Sequence, residues 1–573
     1  MAGRLPSNAD LAPTLELLSD LLEIDGADAF RVQAYRRAAT RIRESAVPVA
    51  QLALDGKAKR LAGIGGTIEA KIVELVETGD LQALAKLRSR VPSGLVEVMH
   101  VPGLGPKTAR RLWLELGITN VDELRAAAES HALRNLSGLG EKTEENILRA
   151  LSTGDARRST AGRGLLGRAL PFVEEVVGEL RSHPASVQVS EAGSVRRRAE
   201  TVHDLDVVAT ATDAAALIEF FVSRPWVAEI AAQGETKATV VTQDGLRFDL
   251  RVVPPECYGN LLQHFTGSKE HNIALREEAV RQGLSVSEYG VETVASGDVV
   301  TMATEEELYE YLGYRWIPPE LRENSGELEA ARDGSLPPLL EPADVQGDLH
   351  VHTDWSDGKA TLEEMVRAAT GRGYRYLAIC DHAKRLKDGR LERQAEAIAE
   401  LNEHLDGIQI LSGVEVDIRA DGSLDLDDRA LAERDWVVAS IHSGFRDPGT
   451  EVTKRVLAAI DNPRVDCIGH PSGRKINRRP PVELDLEAVF ARAAATGTCL
   501  EINGQPDRLD LRDVHARAAA AAGVPIVVSS DAHSPQALGY LQLAVAQARR
   551  GWLTSAQVVN TRPWAKVRAR RKA

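Results

Sequence analysis

Two aspartates one residue apart, Asp204 and Asp206, close the stretch GSVRRRAETVHDLDVV (193–208) behind a serine and three arginines, and Asp249 lies in the apolar run GLRFDLRVV. Read as strands, LDVVAT and FDLRVV project alternate side chains to one face. Asp204 and Asp206 then share a face, and Asp249 joins them when the strands pair. Three crowded carboxylates repel one another unless divalent cations neutralise them, and hard cations such as Mg²⁺ take oxygen ligands. Two ions held in this way activate an attacking oxygen and stabilise a leaving one. Ser194 and Arg197 stand where the transferred phosphates would need partners, so the chemistry is nucleotidyl transfer. Taken alone, the Arg run reads equally as a solvated face and Asp-x-Asp as a turn; the rest of the chain decides between them.

A second set follows residue 346. His350, His352, Asp357, His382, Glu415, His442, His470, Asp531 and His533 recur at the ends of apolar segments (DLHVH, YLAIC, IQILSGVEV, WVVASI, VDCIG, GTCLEI, PIVVSS) that alternate with helical stretches. A lone histidine after a strand is usually structural, but this recurrence is not. The alternation predicts about seven parallel strands with outer helices, and in such barrels ligands from distant parts of the chain converge at the carboxyl ends of the strands. Mixed imidazole and carboxylate ligands suit Zn²⁺, Mn²⁺ or Fe, here up to three ions.

Residues 8–152 carry apolar residues at three- and four-residue spacing and predict helices. Three Gly-apolar-Gly turns punctuate them, at Gly63 and Gly65, Gly103 and Gly105, and Gly138 and Gly140, each leading into a helix start. Glycine permits close backbone approach, and a helix N-terminus offers unpaired N–H groups to an anion. One such turn reads as a helix cap; three read as phosphate cradles.

A chain of 573 residues is too long for one core. Its net charge of −14 is uneven: residues 1–165 hold 23 basic and 21 acidic groups, residues 166–345 hold 15 and 31, and residues 346–573 hold 32 and 32. The acidic excess is therefore central, and local backbone and Lys/Arg contacts to phosphates remain available elsewhere. The basic tail RPWAKVRARRKA reads either as added nonspecific affinity or as a frayed end. Cys257, Cys380, Cys467 and Cys499 form neither a disulfide framework nor a zinc ribbon. No apolar run approaches a membrane span and no signal peptide is recognised, so a cytoplasmic protein without a membrane partner is expected.

GSVRRRAETVHDLDVV, FDLRVV and HFTGSKEHNIALR resemble the palm and nucleotide-pocket motifs of family X DNA polymerases, over roughly residues 8–325 and including SEYGV and WIPPELRENSGE. The resemblance implies that Asp204 and Asp206 hold both metals, Mg²⁺ or Mn²⁺, and that Asp249 activates the primer 3′-hydroxyl. Gly193, Ser194 and Arg197 would contact the triphosphate, and Phe265, Thr266, Gly267 and Ser268 would line the sugar pocket. Asn272 would reach the base and Arg276 the template strand. The glycine turns would be helix-hairpin-helix motifs. Lys71 matches a Schiff-base lysine of 5′-deoxyribose-phosphate lyase, with Arg31 and Tyr35 as phosphate-binding neighbours. Departures stand at His203, where a glycine is common, at His264, where a tyrosine is usual, and at Thr67, in place of a helping lysine.

DLHVHTDWSDG, CDHAKR, GVEVDI, SIHSG, IGHP and SDAHS resemble the motif set of the polymerase and histidinol phosphatase (PHP) domain, over residues 346–545. The resemblance implies metal-dependent phosphoester hydrolysis with Mn²⁺ and/or Zn²⁺. The combination resembles bacterial and archaeal family X polymerases that use this domain as a 3′→5′ exonuclease. The expected architecture is multidomain. A lyase-like helical domain (1–90) and a fingers-like helical domain (91–160) precede an α+β nucleotidyltransferase palm (161–255) and a thumb (256–325). A linker (326–345) then leads to a (β/α)7-type PHP barrel (346–573). The expected function is gap-filling DNA repair synthesis with 3′-end trimming, using gapped or nicked DNA and deoxynucleoside triphosphates, as a monomer. Two alternatives stay open: an end-processing phosphoesterase or abasic-site endonuclease with a weak palm, and a nonenzymatic repair scaffold.

Overall fold

The computed structural model describes residues 5–570 except 7, 44, 46, 62, 100, 102, 103, 137, 138 and 153–163. Two compact units divide the chain near residue 162. The first is helical. Its opening helix, Asn8–Asp25, places Leu11, Leu15, Leu18 and Leu22 on one buried stripe at the spacing of successive turns. The helices Ala29–Arg43, Gly66–Thr78, Pro106–Leu116, Val121–Glu129 and Glu141–Ser152 share the same core through Ile42, Ile72, Leu112, Leu124 and Ile147.

The second unit opens with the helix Leu166–Ser182 against a five-stranded sheet, in spatial order Ser186–Glu191, Asp204–Ala211, Arg247–Val252, Lys237–Thr242, Val227–Gln233. Only the Asp204–Ala211 and Arg247–Val252 pair is parallel, with Asp206 opposite Asp249 in register. Phe172, Phe221, Trp226 and Phe248 pack their rings beneath the sheet at centroid separations of 5.3–5.9 Å. The helices Tyr258–Thr266 and Lys269–Arg281, a three-stranded antiparallel sheet and the helix Glu305–Tyr311 follow. The segment expected to be a linker contains the helix Glu327–Asp333, whose Leu328 and Ala331 join the core formed by Leu275, Leu308 and Tyr309.

Seven parallel strands then pair in sequence order: Gly347–Val351, Tyr376–Ile379, Gln409–Asp417, Trp436–Ser440, Cys467–Gly469, Cys499–Asn503 and Ile526–Ser529. All seven apolar segments of the sequence are these strands. The sheet nearly closes where Val351 bridges Ala532 and the His352 N–H donates to the Ala532 carbonyl at 2.8 Å. The barrel is packed directly on the sheet domain: Leu509 and Leu543 are part of the core beneath the five-stranded sheet, and a Cβ on Gly167 would overlap Pro506 and Leu543. The four cysteines are unpaired, and Cys380, Cys467 and Cys499 are buried. Among the described helices, none is long and apolar enough to cross a membrane.

Candidate functional site

The barrel strands deliver nine ligand-type side chains to one bowl. His350 lies on the first strand and His352 just beyond it, Glu415 is on the third, and His442, His470, Asp531 and His533 follow the ends of the fourth, fifth and seventh. Glu415 is the hub. Its two carboxylate oxygens lie 2.8 Å from His382 Nδ1, 3.2 Å from His470 Nε2, 3.4 Å from His442 Nε2, 3.6 Å from His350 Nε2 and 3.7 Å from His352 Nε2. Three groups of ligand atoms fall within metal-sized spheres of 4.8 Å: His352, Asp357, His382 and His533; His350, His352 and Asp531; His382, Glu415 and His442. His470 and Asp531 adopt positive φ, 29° and 52°. Such backbone is disfavoured for residues with a Cβ and concentrates at functional sites.

The donor set fits divalent cations. Burial alone drives imidazoles toward the neutral form that binds metal. That effect prevails at His352 and at His470, pushed down to about 4, where Arg508 adds to it. At His382 burial is overcome by Asp357 and Glu415, which raise it to about 10, and at His350 by Glu501, Glu415 and Asp531. His350 Nε2, His352 Nε2, Glu415 Oε1 and His470 Nδ1 are buried without hydrogen-bond partners. Buried polar atoms left unpaired are costly, and ions placed among them would satisfy them. Outer carboxylates hold the rings: Glu501 Oε1 lies 2.7 Å from His350 Nδ1 and Asp417 Oδ1 2.6 Å from His442 Nδ1. A cavity of about 450 Å³ opens over the cluster, and Lys359, Lys384, Lys475 and Arg508 line it. Cations around a metal-type bowl suit a phosphate ester.

In the sheet domain, the parallel register sets Asp206 beside Asp249, with Asp204 on the same face. Burial first, then Asp249 and Asp204, raise the Asp206 carboxyl to about 7. A cluster that resists full ionisation is one that cations would stabilise. The three carboxylates do not close to the 4.8 Å spacing of the barrel groups; Thr239 donates to Asp249 Oδ1, and His203 Nδ1 lies 3.0 Å from Asp204 Oδ1. Gly193 has φ 60°, and a Cβ there would fall on Asp206 Oδ2, so glycine is required where the Ser194 turn meets the carboxylates.

The turn His264–Ser268 is tightly bonded. The Thr266 hydroxyl accepts from Arg196 Nη1 at 2.7 Å, and the Ser268 hydroxyl caps the helix Lys269–Arg281 by accepting from the His271 N–H at 3.0 Å. Asn272 Nδ2 donates to the His264 carbonyl at 2.8 Å, and Arg276 Nη2 lies 3.0 Å from His264 Nδ1. Phe265 carries the Arg251 guanidinium 4.6 Å from its ring centre, and a Cβ on Gly267 would overlap Asn272. Arg197 Nη1 donates to the Thr266 carbonyl at 2.8 Å. These residues come together with the carboxylates in one unit, and the hydroxyls of Thr266 and Ser268 are engaged within the protein.

In the helical unit Gly65 and Gly105 are N-caps with φ −87° and −104°, and Gly140 immediately precedes the helix Glu141–Ser152. A Cβ on any of the three would meet nothing within 4 Å. Neither a left-handed backbone nor internal packing demands glycine at these positions, and the space in front of the three helix starts is open. Gly63 has φ 88°, which does favour glycine; Gly103 and Gly138 lie outside the described residues. Lys71 Nζ is 2.5 Å from Glu74 Oε2, an ion pair that attack on a sugar carbonyl would have to open. Tyr35 is buried and Arg31 exposed.

Sequence reasoning missed Glu501 and Asp417. Each had a signal: Glu501 is a lone charge in the wholly buried strand Cys499–Asn503, and Asp417 follows Glu415 by two residues, hence on the same strand face. It also missed the buried ion pairs of Glu305 with Arg196 and Arg322, which join residues distant in sequence.

Known proteins resemble this chain throughout its length. Models of a helix-hairpin-helix domain match residues 6–81, a SAM-like helix-hairpin-helix tandem 95–153, the DNA polymerase beta thumb 261–323 and the PHP domain 348–503. The DNA polymerase/3'-5' exonuclease PolX of Bacillus subtilis (strain 168) is 38% identical over 568 residues, 98% of each chain. A probable phosphatase of Syntrophotalea carbinolica is 33% identical over 224 residues, 37% of this chain and 90% of its own. One from Thermoanaerobacter sp. (strain X514) is 32% identical over 226 residues, 37% of this chain and 89% of its own.

Proposed function

The chain belongs to the family X DNA polymerases that carry a C-terminal PHP domain, and from that membership we propose that it fills short gaps in DNA at the Asp204–Asp206–Asp249 site and trims 3′ ends at the barrel site. It is a DNA polymerase with a 3′→5′ exonuclease, and its substrates are DNA and nucleotides. The observation that carries the division of labour is chemical: one cluster is all carboxylate, and the other is an imidazole-rich bowl in the same folded unit.

Divalent cations, when bound, supply Lewis-acid chemistry at both sites, Mg²⁺ or Mn²⁺ on the carboxylates and Mn²⁺ or Zn²⁺ on the imidazoles. The rest falls to the chain. Asp204 and Asp206 hold the ions, while Asp249, kept in place by Thr239, takes the proton of the primer 3′-hydroxyl. Arg197 and Ser194 orient the triphosphate, Phe265 and the backbone of the following turn face the sugar, and Asn272 and Arg276 flank the base pair. The open glycine turns hold gapped or nicked DNA by its phosphates. In the barrel Glu415 and Asp531 gather the histidines, and Lys475 and Arg508 receive the scissile phosphate at the mouth.

Primer extension on a one-nucleotide gap tests this. Asp249→Ala is expected to lower extension by ~10²-fold or more while gapped-DNA binding and 3′ degradation persist. Replacing His350 and His352 by Ala is expected to remove degradation and leave Mg²⁺-supported extension. Extension at the wild-type rate in the first variant, or full exonuclease in the second, rejects the assignment.

A further inference from the structure

Arg550 ends the helix Leu541–Arg550, which belongs by sequence to the barrel part of the chain, yet its guanidinium sits against the triphosphate motif of the palm. Its Nη1 donates to the Arg197 main-chain carbonyl at 2.8 Å and to Glu323 Oε1 at 3.0 Å, and Nε and Nη2 reach Asp513 Oδ2 at 2.9 and 2.8 Å. Glu323 Oε1 also accepts from Arg197 Nε at 3.0 Å, and Arg197 Nη1 donates to the Thr266 carbonyl. Two guanidinium groups thus share one carboxylate oxygen, and Asp513 balances the second charge. The side chains of Arg550 and Arg197 are only 11% and 14% exposed.

A buried ion-pair network contributes little net stability, because desolvation offsets attraction; what it does provide is a fixed geometry. The geometry held here is that of Arg197. Its main-chain carbonyl, Nε and Nη1 are all engaged, and Nη2 takes no protein partner among the described residues. An arginine left mobile would have to be ordered each time a nucleotide arrived; one already ordered would not.

We propose that Arg550 and Glu323 are positioning residues for nucleotide binding, through which the PHP barrel holds Arg197 with its Nη2 edge presented to the incoming triphosphate. The inference rests on the reading of Arg197 as a triphosphate contact. It makes the barrel a structural part of the polymerase site, independently of the barrel's own metal cluster.

Steady-state extension of gapped DNA by the full chain tests the proposal, with single-strand 3′ degradation as the control for an intact barrel. Arg550→Met and Glu323→Gln are each expected to raise KM for the incoming nucleotide by ~10-fold, equivalent to about 1.4 kcal/mol, with kcat changed less than KM. The double variant should rise no further than the larger single effect, because both act through Arg197. A merely structural role would lower kcat and degradation together and leave the nucleotide KM in place. If Arg550→Met also loses degradation, Glu323→Gln decides, since it leaves the Arg550–Asp513 pair intact. An unchanged nucleotide KM in a variant with normal degradation, or additive effects in the double, overturns the proposal, provided that Arg197→Ala raises KM. If Arg197→Ala leaves KM unmoved, it is the triphosphate role of Arg197 that fails.

Discussion

His350 Nδ1 stands 2.7 Å from Glu501 Oε1, and its other ring nitrogen, Nε2, turns toward Glu415 and Asp531 without a hydrogen-bond partner. Glu501 also accepts from the His470 N–H at 2.5 Å and from the Ser529 hydroxyl, so one buried carboxylate aligns two members of the cluster. Glu501→Gln is expected to weaken metal binding at the barrel by ~10–100-fold, the usual cost of losing an outer carboxylate. Bound-metal analysis alongside 3′ degradation would check it, and Mg²⁺-supported extension should be spared. Full metal content in the variant would show that Glu501 does not orient His350.

A substitution at a glycine turn can test DNA binding separately from folding. Asp is a good helix N-cap and sits favourably at the positive end of a helix, and the space around Gly65, Gly105 and Gly140 is open. Gly105→Asp should therefore leave thermal stability equal or higher, while placing a carboxylate where a phosphate approaches. DNA affinity is expected to fall by ~10-fold or more, and the slope of affinity against salt to drop by about one. Salt titration of gapped-DNA binding measures both; an unchanged affinity would remove that turn from the interface.

His264 stands where the family resemblance leads one to expect a tyrosine, and its Nδ1 lies 3.0 Å from Arg276 Nη2. A tyrosine has no acceptor at that point and would extend farther. His264→Tyr is expected to release Arg276 and shift the ratio of deoxyribonucleotide to ribonucleotide incorporation by ~10-fold or more. Competitive incorporation assays read the ratio directly. If it stays constant, the backbone after Phe265 alone excludes the 2′-hydroxyl.

Acid stability should report the buried Glu305. Burial pushes its carboxyl up, but Arg322 and Arg196 outweigh burial and bring it down to about 2. The folded value lies below that of the unfolded chain, so the pH-dependent part of the stability, ~3 kcal/mol between the ionised and protonated states of Glu305, is fully present above about pH 4.5 and is lost as pH falls toward about 2. Denaturant unfolding of the wild type and Glu305→Gln across this range should give curves that converge at the acid end. Parallel curves would show that Glu305 is not ionised in the fold.

The candidate site groups were legible where the sequence repeats a residue type at fixed spacing. His-x-His on a strand, Asp-x-Asp on a strand and Gly-x-Gly before a helix each place their groups by local geometry alone, with a period of two along a strand or an N-terminus at a helix start. The seven apolar segments were equally plain, because strands buried on both faces leave continuous apolar runs. Tertiary structure decided which distant groups meet. Asp206 opposes Asp249 only through strand register, Glu501 reaches His350 only across the barrel, and Thr266 and Ser268 turn their hydroxyls into the protein because Arg196 and a helix start are there to take them. Arg550 meets Arg197 across 353 positions of chain. Such pairings depend on how whole faces pack, and a charged residue in a helix looks the same in sequence whether it ends in water or in a buried network.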